Sequence, residues 1–203
     1  MKSCSKLLIR HVTIFGIFTI VNVLYFTNLI PPLPLSLKDA GVQLHTIRTP
    51  DHPTGTAFIC VSDDAENAIT VAQGANAQLR PEHLPSLNGF THLLLQLETP
   101  LETVTAYAKA ARAQGVTVVL NAAPAQSLPA ELLAHTDVLV VNEGELATVS
   151  GHNGSIAECL ARINVPTVVV TLGHRGSCAR HHGAFTLQGA YPITPVDTTG
   201  AGD

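Results

Sequence analysis

The chain has 203 residues, which suits one domain with a sizeable core; its 46% hydrophobic content is ordinary for a globular protein, and its 13% charged content is low. Its net charge of −4 offers no basic surface, which excludes nucleic-acid binding as the expected function. The four cysteines form no CxxC pair, a pattern that favours buried thiols in a reducing compartment such as the cytoplasm.

The N-terminal residues differ from the rest of the chain. The stretch Val12–Ile30 has no charged residue, follows two lysines and an arginine, and ends at a proline-rich segment. About twenty apolar residues can span a bilayer, and the basic flank would keep the N-terminal side cytoplasmic. The alternatives are a cleaved signal peptide, or a strand and helix buried in a core. We therefore divide the chain into an atypical segment, 1–37, and a domain, 38–203.

From Lys38 onward, apolar strands alternate with helices. Thr56–Val61 and Ala68–Val71 flank a polar turn and predict a hairpin. Four further strands are predicted at Thr91–Leu97, Val116–Leu120, Asp137–Val141 and Thr167–Leu172, with helices at Pro100–Gln114, Leu128–Ala134 and Ser155–Arg162. This alternation predicts an α/β fold of right-handed βαβ units, with a mostly parallel sheet covered on both faces.

Polar residues follow four of these strands, at Glu98, Asn121, Asn142–Glu145 and Thr171–Gly176. The carboxyl ends of parallel strands share one sheet edge, so these residues are expected to converge on one crevice. Asn142 can cap a helix with Glu145 at its third position. Glu145 can also hold a water of Mg²⁺, and the two interpretations are compatible.

The glycine-containing loop Thr171–Gly176 permits close approach of a ligand, and its Arg175 could pair with a phosphate. The alternative for this loop is an ordinary β-turn. A second glycine-rich segment ends the chain, where Gly200 and Gly202 can direct successive N–H groups into one anion-binding concavity. Asp203 could then accept the proton of an attacking hydroxyl, whereas the alternative is a purely structural turn.

Taken together and in this order, these motifs resemble ribokinase and related pfkB-type carbohydrate kinases. The motifs are Gln96–Glu98, Asn121–Ala125, Val141–Glu145, Val169–Gly176 and Asp197–Asp203, preceded by Pro53–Ala57 and Gly74–Ala77. The resemblance extends from about Asp39 to Asp203. It implies a three-layer α/β fold with a partial β-lid, and ATP-dependent phosphorylation of the primary hydroxyl of a pentose, typically ribose to ribose 5-phosphate. A nucleoside or hexose-phosphate kinase of the same family is an alternative.

The resemblance also implies a role for each matching residue. The matches are Asp203 as catalytic base; Gly200, Ala201 and Gly202 as anion hole; Glu98 as sugar ligand; Asn142, Thr171, Gly173 and Gly176 as ATP contacts; Glu145 as a water-mediated Mg²⁺ ligand; and Asp197 and Thr199 at a monovalent-cation site for K⁺. Homodimers that form through the lid are a further implication.

The chain departs from the family pattern at both ends. Family members begin with a strand that carries a sugar-binding Asp, which a Gly-Gly-Lys-Gly-Ala-Asn-Gln clamp follows. They also continue beyond the catalytic Asp. None of these three features is present in the sequence. Because loss of one oxyanion donor alone costs about 3–4 kcal/mol, we expect impaired catalysis in this truncated form. The alternative is a non-catalytic remnant of a sugar kinase, with or without a membrane tether. We expect a cytoplasmic protein, with membrane anchoring as the alternative.

Overall fold

The computed structural model describes residues 12–15, 39, 41–47, 49–53, 55–61 and 67–192. In chain order, its strands are β1 (Val12–Phe15), β2 (Thr56–Val61), β3 (Asn67–Ala72), β4 (His92–Leu95), β5 (Thr117–Asn121), β6 (Val138–Asn142), β7 (Thr167–Thr171), β8 (Ser177–His181) and β9 (Ala184–Gln188). Seven of them form one sheet in the order β1-β4-β5-β6-β7-β8-β9, and β2 pairs with β3 as an antiparallel hairpin. The predicted hairpin is confirmed.

The sheet is mostly parallel, as predicted. The strands from β1 to β7 in sheet order are parallel to one another. The strands β8 and β9 then turn back as an antiparallel extension that the apolar pattern did not indicate. The sheet is therefore mixed, with its antiparallel part beside β7.

Within residues 67–192, four α-helices accompany the sheet: α1 (Leu101–Ala113), α2 (Ala130–Ala134), α3 (Glu143–Ser150) and α4 (Ile156–Ala161). Because β4, β5, β6 and β7 are neighbours in both chain and sheet order, right-handed crossovers place all four helices on one face. Residues on that face of the strands are buried, whereas alternate residues are half-buried. The sequence predicted helices on both faces of the sheet; in the described part of the chain, helices cover one face.

The core forms where these helices meet the buried strand face. Leu93, Leu120 and Leu139 come from three neighbouring strands and are fully or almost fully buried, and Val104 and Tyr107 of α1 pack in the same cluster. Each fully buried side chain of this size contributes about 1.5–3 kcal/mol relative to exposure. The packed face fixes the strands in register and hence fixes the residues at their carboxyl ends.

The segment that joins the hairpin to β4 is tied to α1 by two buried side chains. Thr103 Oγ1 donates a hydrogen bond to the carbonyl of Leu79 at 2.9 Å, and the Tyr107 hydroxyl donates to that of Arg80 at 3.1 Å. Burial, with a smaller contribution from Glu82, raises the pKa of Tyr107 to about 12, so the phenol keeps its proton at physiological pH. These bonds fix the approach of the hairpin to the sheet.

We expect Tyr107→Phe to lower the free energy of unfolding by about 1 kcal/mol, because it removes the hydrogen bond to Arg80 and retains the buried ring. Urea unfolding of the two proteins measures this difference. Tyr191→Phe is the control, since the Tyr191 side chain is 84% exposed and should tolerate the change. Equal stabilities of Tyr107→Phe and the unsubstituted protein would contradict the anchoring role.

The beginning of the apolar stretch Val12–Ile30 lies in the sheet. Its first four residues form β1, which pairs in parallel with β4 so that Val12 is opposite His92 and Phe15 is opposite Leu95. Residues 16–30 are outside the described part. Among the helices that the structure describes, none combines the length and apolar character needed to cross a membrane.

Candidate functional site

Those predicted site residues that the structure describes lie at one edge of the sheet, where β4 to β7 end. Asn121, Asn142 and Thr171 are the last residues of β5, β6 and β7, and Glu98 follows β4 by three residues. Asn142 and Thr171 are direct neighbours in the parallel pairing of β6 with β7. The fold therefore brings the Asn142–Glu145 and Thr171–Gly176 segments together.

A capping box joins β6 to α3. Asn142 Oδ1 accepts a hydrogen bond from the Glu145 N–H at 2.8 Å, and Glu145 Oε2 accepts one from the Asn142 N–H at 2.7 Å. The predicted capping of α3 by these two residues is confirmed. The reciprocal bonds hold the start of α3 against the end of β6, with the positive end of the helix dipole at the sheet edge.

Glu145 is unusual for a charged residue because it is buried, with only 8% of the residue exposed. Burial raises the pKa of Glu145 above its ordinary value, and the hydrogen bond from the Asn142 N–H partly offsets this effect. That bond uses Oε2. A carboxylate oxygen of this kind suits Mg²⁺, which usually keeps several of its waters, so the residue fits the predicted Mg²⁺ role.

The loop after β7 is a compact turn. The Leu172 N–H donates to the Gly176 carbonyl at 2.8 Å, and the Gly176 N–H donates to the Gly173 carbonyl at 3.0 Å, which closes the 3₁₀ turn Gly173–Arg175. Gly173 has φ of 56° and Gly176 has φ of 96°, both in the region that favours glycine. A β-carbon at Gly176 would lie 1.9 Å from the carbonyl oxygen of Gln188, so no larger residue fits without movement.

An ion pair that the sequence did not predict connects these two segments. Arg175 Nη2, in the turn after β7, donates to Glu143 Oε2, at the first position of α3. The two residues are 32 positions apart in the chain. Each residue follows the end of an apolar strand, which is the signal that the sequence contains, and their contact depends on β6 and β7 being neighbours.

Glu98 lies beside the base of the hairpin. Its N–H donates to Gln96 Oε1 at 2.7 Å, and its carbonyl accepts a hydrogen bond from Gln73 Nε2 at 3.3 Å. Gln73 directly follows β3, and sequence analysis assigned it no role. Since β5 separates β4 from β6, the Glu98 side and the Asn142 side of the edge are roughly 10 Å apart. The edge thus has a part near the hairpin and a part near α3.

The C-terminal motif lies outside the described residues. This applies to Asp203, to the predicted anion-hole residues at 200–202, and to the predicted K⁺ ligands Asp197 and Thr199. Their roles, like those of Glu98, Asn142, Thr171, Gly173 and Gly176, remain predictions. Within the described ranges, no group of three or more potential metal-ligating side chains is present.

The fold and the site define an open α/β domain whose helix start and glycine-containing turn meet at the carboxyl ends of parallel strands. In open α/β sheets, this is the edge at which ligands bind. The sequence matches the profile of the pfkB family carbohydrate kinases over residues 35–203, and the chain belongs to that family.

Individual relatives agree with this assignment. The chain is 35% identical over 170 residues to a ribokinase of Staphylococcus aureus (strain COL), covering 78% of this chain and 56% of that protein. It is 31% identical over 181 residues to a deoxyribokinase of Salmonella typhi, covering 83% and 59%. The structure of Arabidopsis thaliana ribokinase complexed with ribose and ATP matches with a TM-score of 0.64 at 31% identity, covering 75% of this chain and 54% of that one.

The chain therefore spans little more than half the length of each of these three relatives. The predicted fold class, a mostly parallel α/β sheet of the ribokinase type, is confirmed by the strand order and the structural match.

Proposed function

We propose that the protein transfers a phosphoryl group from ATP to the primary hydroxyl of a pentose, with ribose as the preferred acceptor. One observation carries this proposal: β6 and β7 end side by side, so that the Asn142–Glu145 capping box adjoins the turn Gly173–Arg175 at a single ligand-binding edge. The similarity to the S. aureus ribokinase supports ribose as the acceptor.

In this proposal, the α3 side of the edge holds ATP. The start of α3 and the turn after β7 offer N–H groups to the phosphates, with Asn142, Thr171, Gly173 and Gly176 as the contacting residues. Glu145 would hold Mg²⁺ through water, and the ion would neutralise charge on the phosphates. The A. thaliana ribokinase, whose structure contains ribose and ATP, supports a two-substrate site of this kind.

The hairpin side would hold the sugar. Glu98 is the proposed sugar ligand, and its main chain is fixed next to the hairpin by Gln73. Asp203 would accept the proton of the sugar hydroxyl, while Gly200–Gly202 would stabilise charge on the transferred group. Asp197 and Thr199 are the proposed residues for K⁺.

The test is ADP release by the purified protein with ATP, Mg²⁺, K⁺ and ribose, with the product identified by ³¹P NMR. We expect release that depends on ribose and yields the 5-phosphate. The matched control is 5-deoxyribose, which lacks the accepting hydroxyl and should give no release above that without sugar. Equal release with and without ribose would overturn the proposal.

A second acceptor is 2-deoxyribose, which the similarity to the S. typhi deoxyribokinase favours. The same assay with 2-deoxyribose decides between the two sugars by their ratio of kcat/KM. A non-catalytic relative of sugar kinases would bind ATP in a calorimetric titration and release no ADP with either sugar.

A further inference from the structure

The ion pair between Arg175 and Glu143 lies between the two segments proposed to hold phosphate. We propose that Arg175 is a cation that binds the polyphosphate of the nucleotide, and that Glu143 occupies it as a competing anion until the nucleotide binds. This inference rests on the proposed function, in which this edge holds ATP, and it adds a residue pair that regulates how tightly ATP is held.

The position of the pair supports this inference. Glu143 directly follows Asn142, and Arg175 directly precedes Gly176, so each is next to a proposed ATP contact. The side chains are 48% and 53% exposed, respectively, so a ligand from solvent can reach both. The guanidinium presents several N–H donors in one plane and is suited to phosphate oxygens as well as to a carboxylate.

The energetics favour an exchange of partners. Exposed ion pairs are weak, since water screens the charges and two side chains must be ordered. The hydrogen bond and the opposite charge of Glu143 raise the pKa of Arg175 above its ordinary value. A triphosphate carries several negative charges, so it should displace a single carboxylate from Arg175 at little cost.

The exchange predicts opposite effects for the two partners. Glu143→Gln should tighten ATP binding about threefold, because it releases Arg175 for the phosphates. Arg175→Gln should weaken ATP binding about tenfold, because a charged hydrogen bond to phosphate is lost. A purely structural bridge would instead make both substitutions weaken binding, since either one frees the turn from α3.

A double-mutant cycle separates the exchange from simple repulsion between Glu143 and phosphate. Repulsion would persist without Arg175, so Glu143→Gln would still tighten binding in an Arg175→Gln background. Exchange requires Arg175, so Glu143→Gln should then have no effect. The pair Lys109–Glu131 is a matched control, because it is also exposed and lies between α1 and α2, away from the edge. Glu131→Gln should leave ATP affinity unchanged.

The experiment is calorimetric titration of the single and double variants with ATP, inorganic triphosphate and adenosine, with thermal unfolding to verify that each variant is folded. ATP and triphosphate should follow the cycle, and adenosine, which has no phosphate, should not. Equal signs for the two single variants, or a Glu143→Gln effect that survives in the double variant, would overturn the inference.

Failure of this inference can be distinguished from failure of the proposed function. If the cycle holds for triphosphate but ribose is not phosphorylated, the inference stands and the proposed function fails. If ribose is phosphorylated and both single variants weaken ATP binding, the function stands and the inference fails. Absence of ATP and triphosphate binding would overturn both.

Discussion

Replacing Gly176 with alanine is expected to lower the free energy of unfolding by at least about 3 kcal/mol, because the new methyl group has no space and the backbone conformation is unfavourable for alanine. The added β-carbon would lie 1.9 Å from the Gln188 carbonyl oxygen and 2.7 Å from the Ala190 nitrogen. Both obstacles are main-chain atoms, so no side-chain rotation can relieve the clash. Urea unfolding measures the loss.

The control for this substitution is Gly151→Ala. Gly151 ends α3 with φ of 62°, and an added β-carbon there would have no atom within 4 Å. It should cost only the roughly 1–2 kcal/mol of a left-handed alanine. If Gly176→Ala were no more destabilising than Gly151→Ala, the close packing of the turn after β7 against the chain at residues 188–190, where β9 ends, would be refuted.

The same glycine bears on the candidate site. To relieve the clash, the turn Gly173–Arg175 or the chain near Gln188 must move, and Arg175 is part of that turn. We therefore expect Gly176→Ala to weaken ATP binding in any protein that remains folded.

The strands with uninterrupted apolar runs could be predicted from sequence because their signals are local. Thr56–Val61 was predicted with its observed bounds, and the predicted ends of β4 to β7 are within two residues of those observed. Turn residues on both sides of these runs limit where a strand can extend.

The antiparallel strands β8 and β9 could not be predicted in this way. Their sequences, Ser-Cys-Ala-Arg-His and Ala-Phe-Thr-Leu-Gln, contain small, charged and polar residues, and all five residues of β9 are exposed. They are strands because β7 offers its free edge to β8, and β8 offers its own edge to β9. Pairing of this kind is a property of the tertiary structure and leaves little local pattern.

In the candidate site, too, local contacts could be predicted from the sequence and long-range contacts could not. The capping box of α3 could be predicted because Asn142 and Glu145 have the local spacing that such a box requires. The Glu143–Arg175 pair and the Gln73–Glu98 contact join residues 32 and 25 positions apart, so they follow from strand order and not from any short motif. The roles of the individual residues toward ATP and sugar remain predictions.

Glu145 is the residue at which stability and the proposed chemistry make opposite demands. Burial raises the folded-state pKa of Glu145. At pH values between its unfolded-state pKa and its folded-state pKa, the folded chain therefore retains a proton that the unfolded chain has lost. Stability contributed by this group therefore falls as pH rises through that range. Above the folded pKa, the ionised carboxylate carries the desolvation cost of burial, which the hydrogen bond from the Asn142 N–H partly offsets.

Glu145→Gln should accordingly reduce kcat/KM for ribose phosphorylation about 10- to 100-fold while leaving the protein at least as stable at neutral pH. Glutamine can still accept the hydrogen bond from the Asn142 N–H, so the capping box is retained without a buried charge. It is a poorer partner for the waters of Mg²⁺, so the Mg²⁺ concentration for half-maximal rate should rise. Rates measured over a range of Mg²⁺ concentrations, with urea unfolding at pH about 4 and about 8, test both parts.

The control is Glu158→Gln in the second capping box, where Glu158 pairs with Ser155 at the start of α4. Hydrogen bonds from Ser155 lower the pKa of this exposed carboxyl, so its stabilising effect is present at neutral pH and is lost as pH falls through the lowered value. Glu158→Gln should therefore lower the free energy of unfolding at neutral pH and leave the rate of phosphorylation unchanged. Glu145→Gln should instead lower the rate and leave the free energy of unfolding at least as high. If Glu145→Gln instead lowered the free energy of unfolding and left the rate unchanged, as expected for Glu158→Gln, burial of Glu145 would be a feature of the fold alone. The proposed Mg²⁺ role would then need another carboxylate.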